Sequence, residues 1–372
     1  MVDKKVNIAE TTVPAKAPAG RLRGFDAIRF VCAFWVVMYH DTGIGVPHHH
    51  IVGPFLWRAV QALWSLSFNG AAAVMVFFVI SGFAIHYPFR HGETPAWGEY
   101  YLRRYIRIGI PAGVAVTLLW FAGPLPSSLE NAVIWSLYAE AIYYTVYPLL
   151  MLGRRRLGWR GLLALSAVAS LLVTLRDPRA GGLHEQGIAL TWIVYLPTWL
   201  LGCLLAEQAD SLTAARVPRI WAWRLTVWAA AVLGNFLGFH SPIGLPWTMP
   251  LFSVLVFFWL RQEVRQNRAK APIPALESAG AWSYSLYLMH YPAFWLLYVF
   301  HVPMPVAPVR TFLPVLLALV TAYVFYLFVE RPSHWLARQV KQNKGQVAPP
   351  PASENGQSGQ APHAEQARPI LK

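Results

Sequence analysis

Arg29 and His40 stand eleven residues apart in the first long apolar run of the chain. In a helix that spacing is about three turns, so both side chains fall on one face within roughly 20°. They are separated by ~16.5 Å along the axis, too far for a direct hydrogen bond. The two groups suit different tasks. A guanidinium near one membrane rim holds anions, whereas an imidazole deep toward the other side can take a proton from a hydroxyl near neutral pH. Asp26, three residues before Arg29, is placed to pair with it and lower the cost of its charge. The rival reading makes Asp26 and Arg29 snorkelling interface anchors and His40 a cap on the outer helix end.

Other polar groups interrupt later apolar runs, where an ionisable side chain costs roughly 2.5–3.5 kcal/mol on insertion scales. Ser136, Glu140 and Tyr144 recur every four residues and form a polar column on one helix face. A carboxylate there needs a partner or a proton; Arg29, a rim arginine or a histidine are candidates, and a structural hydrogen-bond knot is the alternative. Arg103, Arg104 and Arg107 precede another run. Arg104 and Arg107, at i and i+3, face the same way and suit phosphate oxygens, or else set topology against anionic lipid. Ser81 offers a hydroxyl and Gly82 a close backbone approach, which ordinary small-residue helix packing would also explain. His290 lies in mid-run just before Pro292, which should kink its helix. Glu330, Arg331 and Pro332 close the last run. The run His48-His49-His50 has at most adventitious metal affinity, and no metal site is read from the sequence.

These residues must be positioned by membrane helices. Of 372 residues, 56% are hydrophobic and only 13% charged, with a mean hydropathy of +0.40, far fewer charges than a soluble surface needs. Ten spans of about 20 apolar residues are predicted at 25–45, 68–87, 108–123, 132–152, 161–175, 188–206, 223–239, 247–260, 282–300 and 311–330. A further apolar stretch at 51–66 reads as re-entrant or interfacial. With the amino terminus inside, 26 of the 31 Lys and Arg residues fall on the cytoplasmic side. Only Arg58, Arg176, Arg179 and Arg310 fall opposite, and Arg29 lies within the first span. Positive charge on one side is what an even number of spans with both termini cytoplasmic requires.

The expected fold is therefore all-α, a polytopic bundle of about ten transmembrane helices. Residues 1–20 and 343–372 read as disordered cytoplasmic tails, rich in Pro, Gln, Ala, Gly and Ser, around a membrane domain at 21–335. The net charge of +14 is dispersed over short loops and does not point to nucleic acid. Cys32 and Cys203 sit in apolar runs as packing residues. No secretory signal, phosphate-binding loop, dinucleotide fingerprint or nucleophile elbow is present.

In the order of their motifs, these residues resemble the acyltransferase-3 family of membrane acyltransferases, from about residue 21 to 333. Arg29 and His40 fit its Arg-x10-His signature, and Phe78–Phe83 its Ser-Gly-Phe element. Arg104-x-x-Arg107 is similar to its Arg-x-x-Arg loop, and Trp135-Ser136-Leu137 with Glu140 to its Trp-Ser-Leu-x-x-Glu helix. Ser283–Pro292 and Phe328–Pro332 fit its late elements. The first helix departs from the family in reading Gly24-Phe25-Asp26-Ala27-Ile28-Arg29, where Leu-Asp-Gly-Leu-Arg-Gly is commoner; Arg29 keeps its place.

The resemblance implies O-acyl transfer, commonly of acetyl, from cytoplasmic acyl-CoA to a hydroxyl of a cell-surface or secreted glycan or its lipid-linked precursor. It implies no permanently bound cofactor, a bacterial cytoplasmic membrane, and a possible separate extracytoplasmic partner protein. His40, Arg29 and Glu140 would be catalytic, Arg103, Arg104, Arg107, Ser81 and Gly82 would meet the donor, and Asp26, Ser136, Tyr144, His290 and Glu330 would complete the polar interior. A secondary transporter, whose relays also use intramembrane Arg, His and Glu, or a non-catalytic subunit of a glycan-export complex are the alternatives.

Overall fold

The computed structural model describes residues 22–40, 53–122, 127–178, 186–302 and 307–342. Both predicted tails, the outer end of the first span and the His48–His50 run lie outside them. Among the described residues 86% are helical and none is in a strand, as an apolar solvent demands when every backbone polar group must be satisfied within its own segment.

In chain order the helices are α1 (Phe25–His40), α2 (Pro54–Ser67), α3 (Gly70–His86), α4 (Trp97–Ala122), α5 (Ser127–Thr174), α6 (Ile188–Gln208), α7 (Ile220–His240) and α8 (Leu245–Ala269). The short α9 (Pro274–Ala279), then α10 (Ser283–Val299), α11 (Ala307–Phe325) and α12 (Arg331–Gln342) follow, with a π turn at Tyr326–Glu330 joining the last two. α5 holds two predicted spans, separated at Gly158, whose φ of +65° is left-handed. A Cβ on Gly153 would lie 3.1 Å from the Leu162 side chain. Residues nine apart along a straight helix are ~13 Å apart, so the second limb folds back on the first.

Among the described residues six stretches are long and apolar enough to cross a membrane: Ala62–Phe89, Trp97–Phe121, Ile134–Thr174, Ala189–Ser211, Ile220–Gly238 and Phe312–Val340. The predicted spans at 25–45, 247–260 and 282–300 coincide with α1, α8 and α10, which are not among the six. α1 and α10 are short, at 16 and 17 residues. α10 continues past Pro292, as membrane helices can when neighbours compensate the lost amide. α12 extends beyond the domain boundary expected at residue 335.

The bundle is layered around α3, which is apolar on all sides and buried along nearly its whole length. Its nearest neighbour is α6. A Cβ on Gly82 would collide with the Trp199 carbonyl, and one on Gly202 with the Val79 carbonyl, so two glycines let the backbones touch. α1 and α8 also pack on α3, and α10 joins α1 to α11. Large apolar side chains face outward on the surrounding helices, including Trp120 and Phe121 (both 76% exposed), Trp221 (69%) and Phe312 (69%). In water such a surface would aggregate; in lipid it is the solvated face.

The α3–α6 contact generates a stability prediction. Gly202→Ala should cost about 2 kcal/mol or more through overpacking against backbone, seen as earlier heat-induced loss of monodisperse protein in detergent. Gly113→Ala, where nothing lies within 4 Å, should leave that midpoint unchanged.

Candidate active site

Two carboxylates set the helices that carry the site. Glu277 accepts the Gly24 amide at 3.0 Å and the Ala27 amide at 3.1 Å, satisfying backbone donors at the start of α1. Glu330, only 2% exposed, does the same for α10. It accepts the Ser285 amide at 3.0 Å and the Ser285 hydroxyl at 2.5 Å. The last predicted motif thus has a structural task, holding the start of α10 to the π turn.

A cavity of about 920 Å³ opens among α1, α3, α4, α5, α10 and α12. Arg29, Arg103, Arg104, Arg107, Arg331 and Arg338 line it, with Asp26, Glu140 and Glu330 as its carboxylates. Arg29 Nη1 meets Asp26 Oδ1 at 3.3 Å, the pair expected from their spacing, and Arg103 meets Glu99 at 3.5 Å. Arg104, Arg107, Arg331 and Arg338 have no ion-pair partner among the described residues. Such an excess of cationic charge draws anions toward the cavity.

Farther in, the polar column of α5 meets α3. Glu140 Oε1 accepts from Ser81 at 2.7 Å and from the Tyr144 hydroxyl. Trp199 Nε1 donates to Ser81 at 3.3 Å. Of the partners considered for Glu140, a cation or a hydrogen-bond knot, the closest groups are the hydroxyls of a knot. One turn outward, Ser136 Oγ and the Tyr287 hydroxyl are 2.6 Å apart. With Phe77 and Leu137 they line the same cavity. Gly82, read with Ser81 as a donor-site residue, is not part of that lining: it faces α6, and its missing side chain serves helix packing.

His40 and His290 lie outside the cavity lining and touch each other. His290 is fully buried. Its Nδ1 is 2.7 Å from the Tyr287 carbonyl, and its Nε2 is 3.2 Å from His40 Nδ1. A carbonyl only accepts, so Nδ1 of His290 carries hydrogen, and in the neutral ring Nε2 is the lone pair. His40 Nδ1 must then donate to it, which leaves the lone pair of His40 on Nε2 (an assignment from the hydrogen-bond network). Tyr287 connects the two regions: its side chain lines the cavity and its carbonyl orients His290.

Two further groups were not singled out from the sequence. One is Arg338 of α12, which joins Arg331 on the cavity wall. The other is His86, bonded to Tyr147 at 2.9 Å and Glu207 at 2.6 Å, with Arg154 on Glu207 at 2.7 Å. Its members sit at the ends of apolar runs, where a charge reads as a rim anchor.

A family model described as an acyltransferase domain matches residues 22–330. No curated protein and no solved structure matches the chain.

Glu330→Ala should cost about 1–3 kcal/mol by leaving the Ser285 amide and hydroxyl unpaired, measured as a lower unfolding midpoint in detergent. Glu330→Gln, which keeps an acceptor oxygen, should retain most of that stability.

Proposed function

Because the chain belongs to the acyltransferase-3 family and is a multi-pass membrane acyltransferase, we propose that it transfers an acetyl group from cytoplasmic acetyl-CoA to a hydroxyl of a cell-surface or secreted glycan, or of its lipid-linked precursor. In this reading it lies in a bacterial cytoplasmic membrane with ten spans and both termini inside. The observation that carries the proposal is a basic cavity whose inner end, at Tyr287, is hydrogen-bonded to a pair of histidines.

Acyl-CoA is a polyanion that cannot enter lipid, so its nucleotide is bound at the cationic cavity. Arg104 and Arg107 offer guanidinium forks for phosphates, and Arg29, held by Asp26, binds the polar arm of the donor. The pantetheine arm extends past Ser81, Glu140 and Tyr144 toward Tyr287. For the thioester to reach His40, the Tyr287 side chain has to leave Ser136, and Phe77 and Leu137 then bound the acyl group. Glu140 holds Ser81 and Tyr144 in place along that path, a positioning role.

In the chemical step, Nε2 of His40 takes the proton of the acceptor hydroxyl as its oxygen bonds to the thioester carbon. The tetrahedral oxyanion collapses, the carbon–sulfur bond breaks, and the thiolate of CoA leaves and is protonated by the imidazolium. His290 accepts from Nδ1 of His40 throughout. It fixes the tautomer and spreads the charge of the imidazolium, much as the carboxylate of a catalytic triad does.

The test is release of CoA thiol by purified protein supplied with acetyl-CoA and acceptor. Release should depend on acceptor and fall by about 10²-fold or more in His40→Ala. His290→Ala should lower kcat with little change in the KM for donor, and His290→Gln, whose carbonyl can accept from Nδ1, should recover part of the loss. A fully active His40→Ala, or equal losses in both His290 variants, would contradict the assignment.

A further inference from the structure

α12 lies beyond the end of the family match at residue 330, yet it forms part of the cavity wall. Its residues divide into three stripes. Ser333 and Ala337, 3% and 2% exposed, pack inward, and the helix runs along α4. Trp335 and Leu336, 57% and 43% exposed, face outward, as an interfacial helix directs its apolar groups. Arg331, His334 and Arg338, at i, i+3 and i+7, line the cavity.

Arg331 and Arg338 have no ion-pair partner among the described residues, although Glu330 is adjacent in sequence. Glu330 is committed elsewhere: one oxygen takes the Ser285 amide and hydroxyl, the other lies 3.6 Å from His334 Nε2. Two guanidiniums on one wall of the cavity, with the nearby carboxylate withdrawn from them, suit a doubly charged group. Arg104 and Arg107 project from α4, against which α12 is packed, so the two arginine pairs border one space from adjoining walls.

We propose that Arg331 and Arg338 bind the ribose phosphate of the CoA nucleotide, while the α4 pair holds its diphosphate. The proposal rests on acyl-CoA being the donor. It assigns to α12 the discrimination between CoA and its analogue without the ribose phosphate.

Steady-state acetyl transfer by the full-length protein is compared for acetyl-CoA, acetyl-dephospho-CoA and acetyl-pantetheine. The parent should have its lowest KM for acetyl-CoA. Arg338→Ala and Arg331→Ala should each raise that KM by about tenfold, the scale of one lost charge-assisted hydrogen bond, without changing kcat. They should leave the KM for acetyl-dephospho-CoA and acetyl-pantetheine within about twofold of the parent. Arg338→Lys, keeping the charge, should fall between. Equal weakening for all three donors, or no change for any, overturns the assignment of α12. A parent that uses acetyl-CoA no better than acetyl-dephospho-CoA overturns it too, with the transfer reaction intact. A parent that turns over none of the three thioesters removes the underlying reading itself.

Discussion

A histidine in an apolar bundle is useful as a base only if something decides which of its nitrogens carries hydrogen. Here His40 on α1 is hydrogen-bonded to His290 on α10, which assigns the hydrogen to His40 Nδ1. His290 is itself oriented by the carbonyl of Tyr287, one turn back on the same helix. The arrangement works because a neutral imidazole can play the accepting part without burying a second charge. A buried anion so far from water would cost several kcal/mol before any catalytic return.

The rest of the bundle keeps that bond in register. α1 and α10 start at carboxylates, Glu277 and Glu330, that belong to other elements. Each cap satisfies amides that would otherwise be orphaned, and each ties the start of a histidine-bearing helix to a neighbouring element. At the centre, Gly82 and Gly202 bring α3 and α6 into backbone contact. Ser81, about 100° further round α3, is turned toward Glu140 and Tyr144. The cavity inherits its charge from helices whose arginines face inward with few counter-charges. In the proposed reading a polyanionic donor relieves that excess, so binding energy and charge compensation are one effect.

Much of this was legible in the sequence because it is local. The Asp26–Arg29 pair and the Ser136–Glu140–Tyr144 column follow from helical spacing alone, and apolar runs located the helices, including both limbs of α5. Contacts between distant segments were not legible. His40 and His290 are 250 residues apart, and no periodicity relates them; nor does any relate Glu277 to the α1 amides. Ser-Gly at 81–82 was ambiguous for a physical reason. Adjacent helix positions point about 100° apart, so one residue faces the cavity and the other faces α6. α12 escaped notice because it is short, basic and followed directly by a Pro- and Gln-rich stretch, a composition that resembles a tail as much as an amphipathic helix. The ten spans are read from apolar runs and supported by charge asymmetry, whereas among the described residues six stretches are long and apolar enough to cross, one of them holding two of the predicted spans.

The account turns on whether a donor bound among the arginines delivers its thioester to His40. The direct measurement is an experimental structure of the protein in a membrane mimetic with a non-transferable thioether analogue of acetyl-CoA. The account predicts the diphosphate at Arg104 and Arg107, Tyr287 displaced from Ser136, and the carbonyl carbon within reach of Nε2 of His40. A donor whose acyl end stops beside Ser81 and Glu140 with Tyr287 still on Ser136, or whose phosphates avoid the arginines, would contradict it.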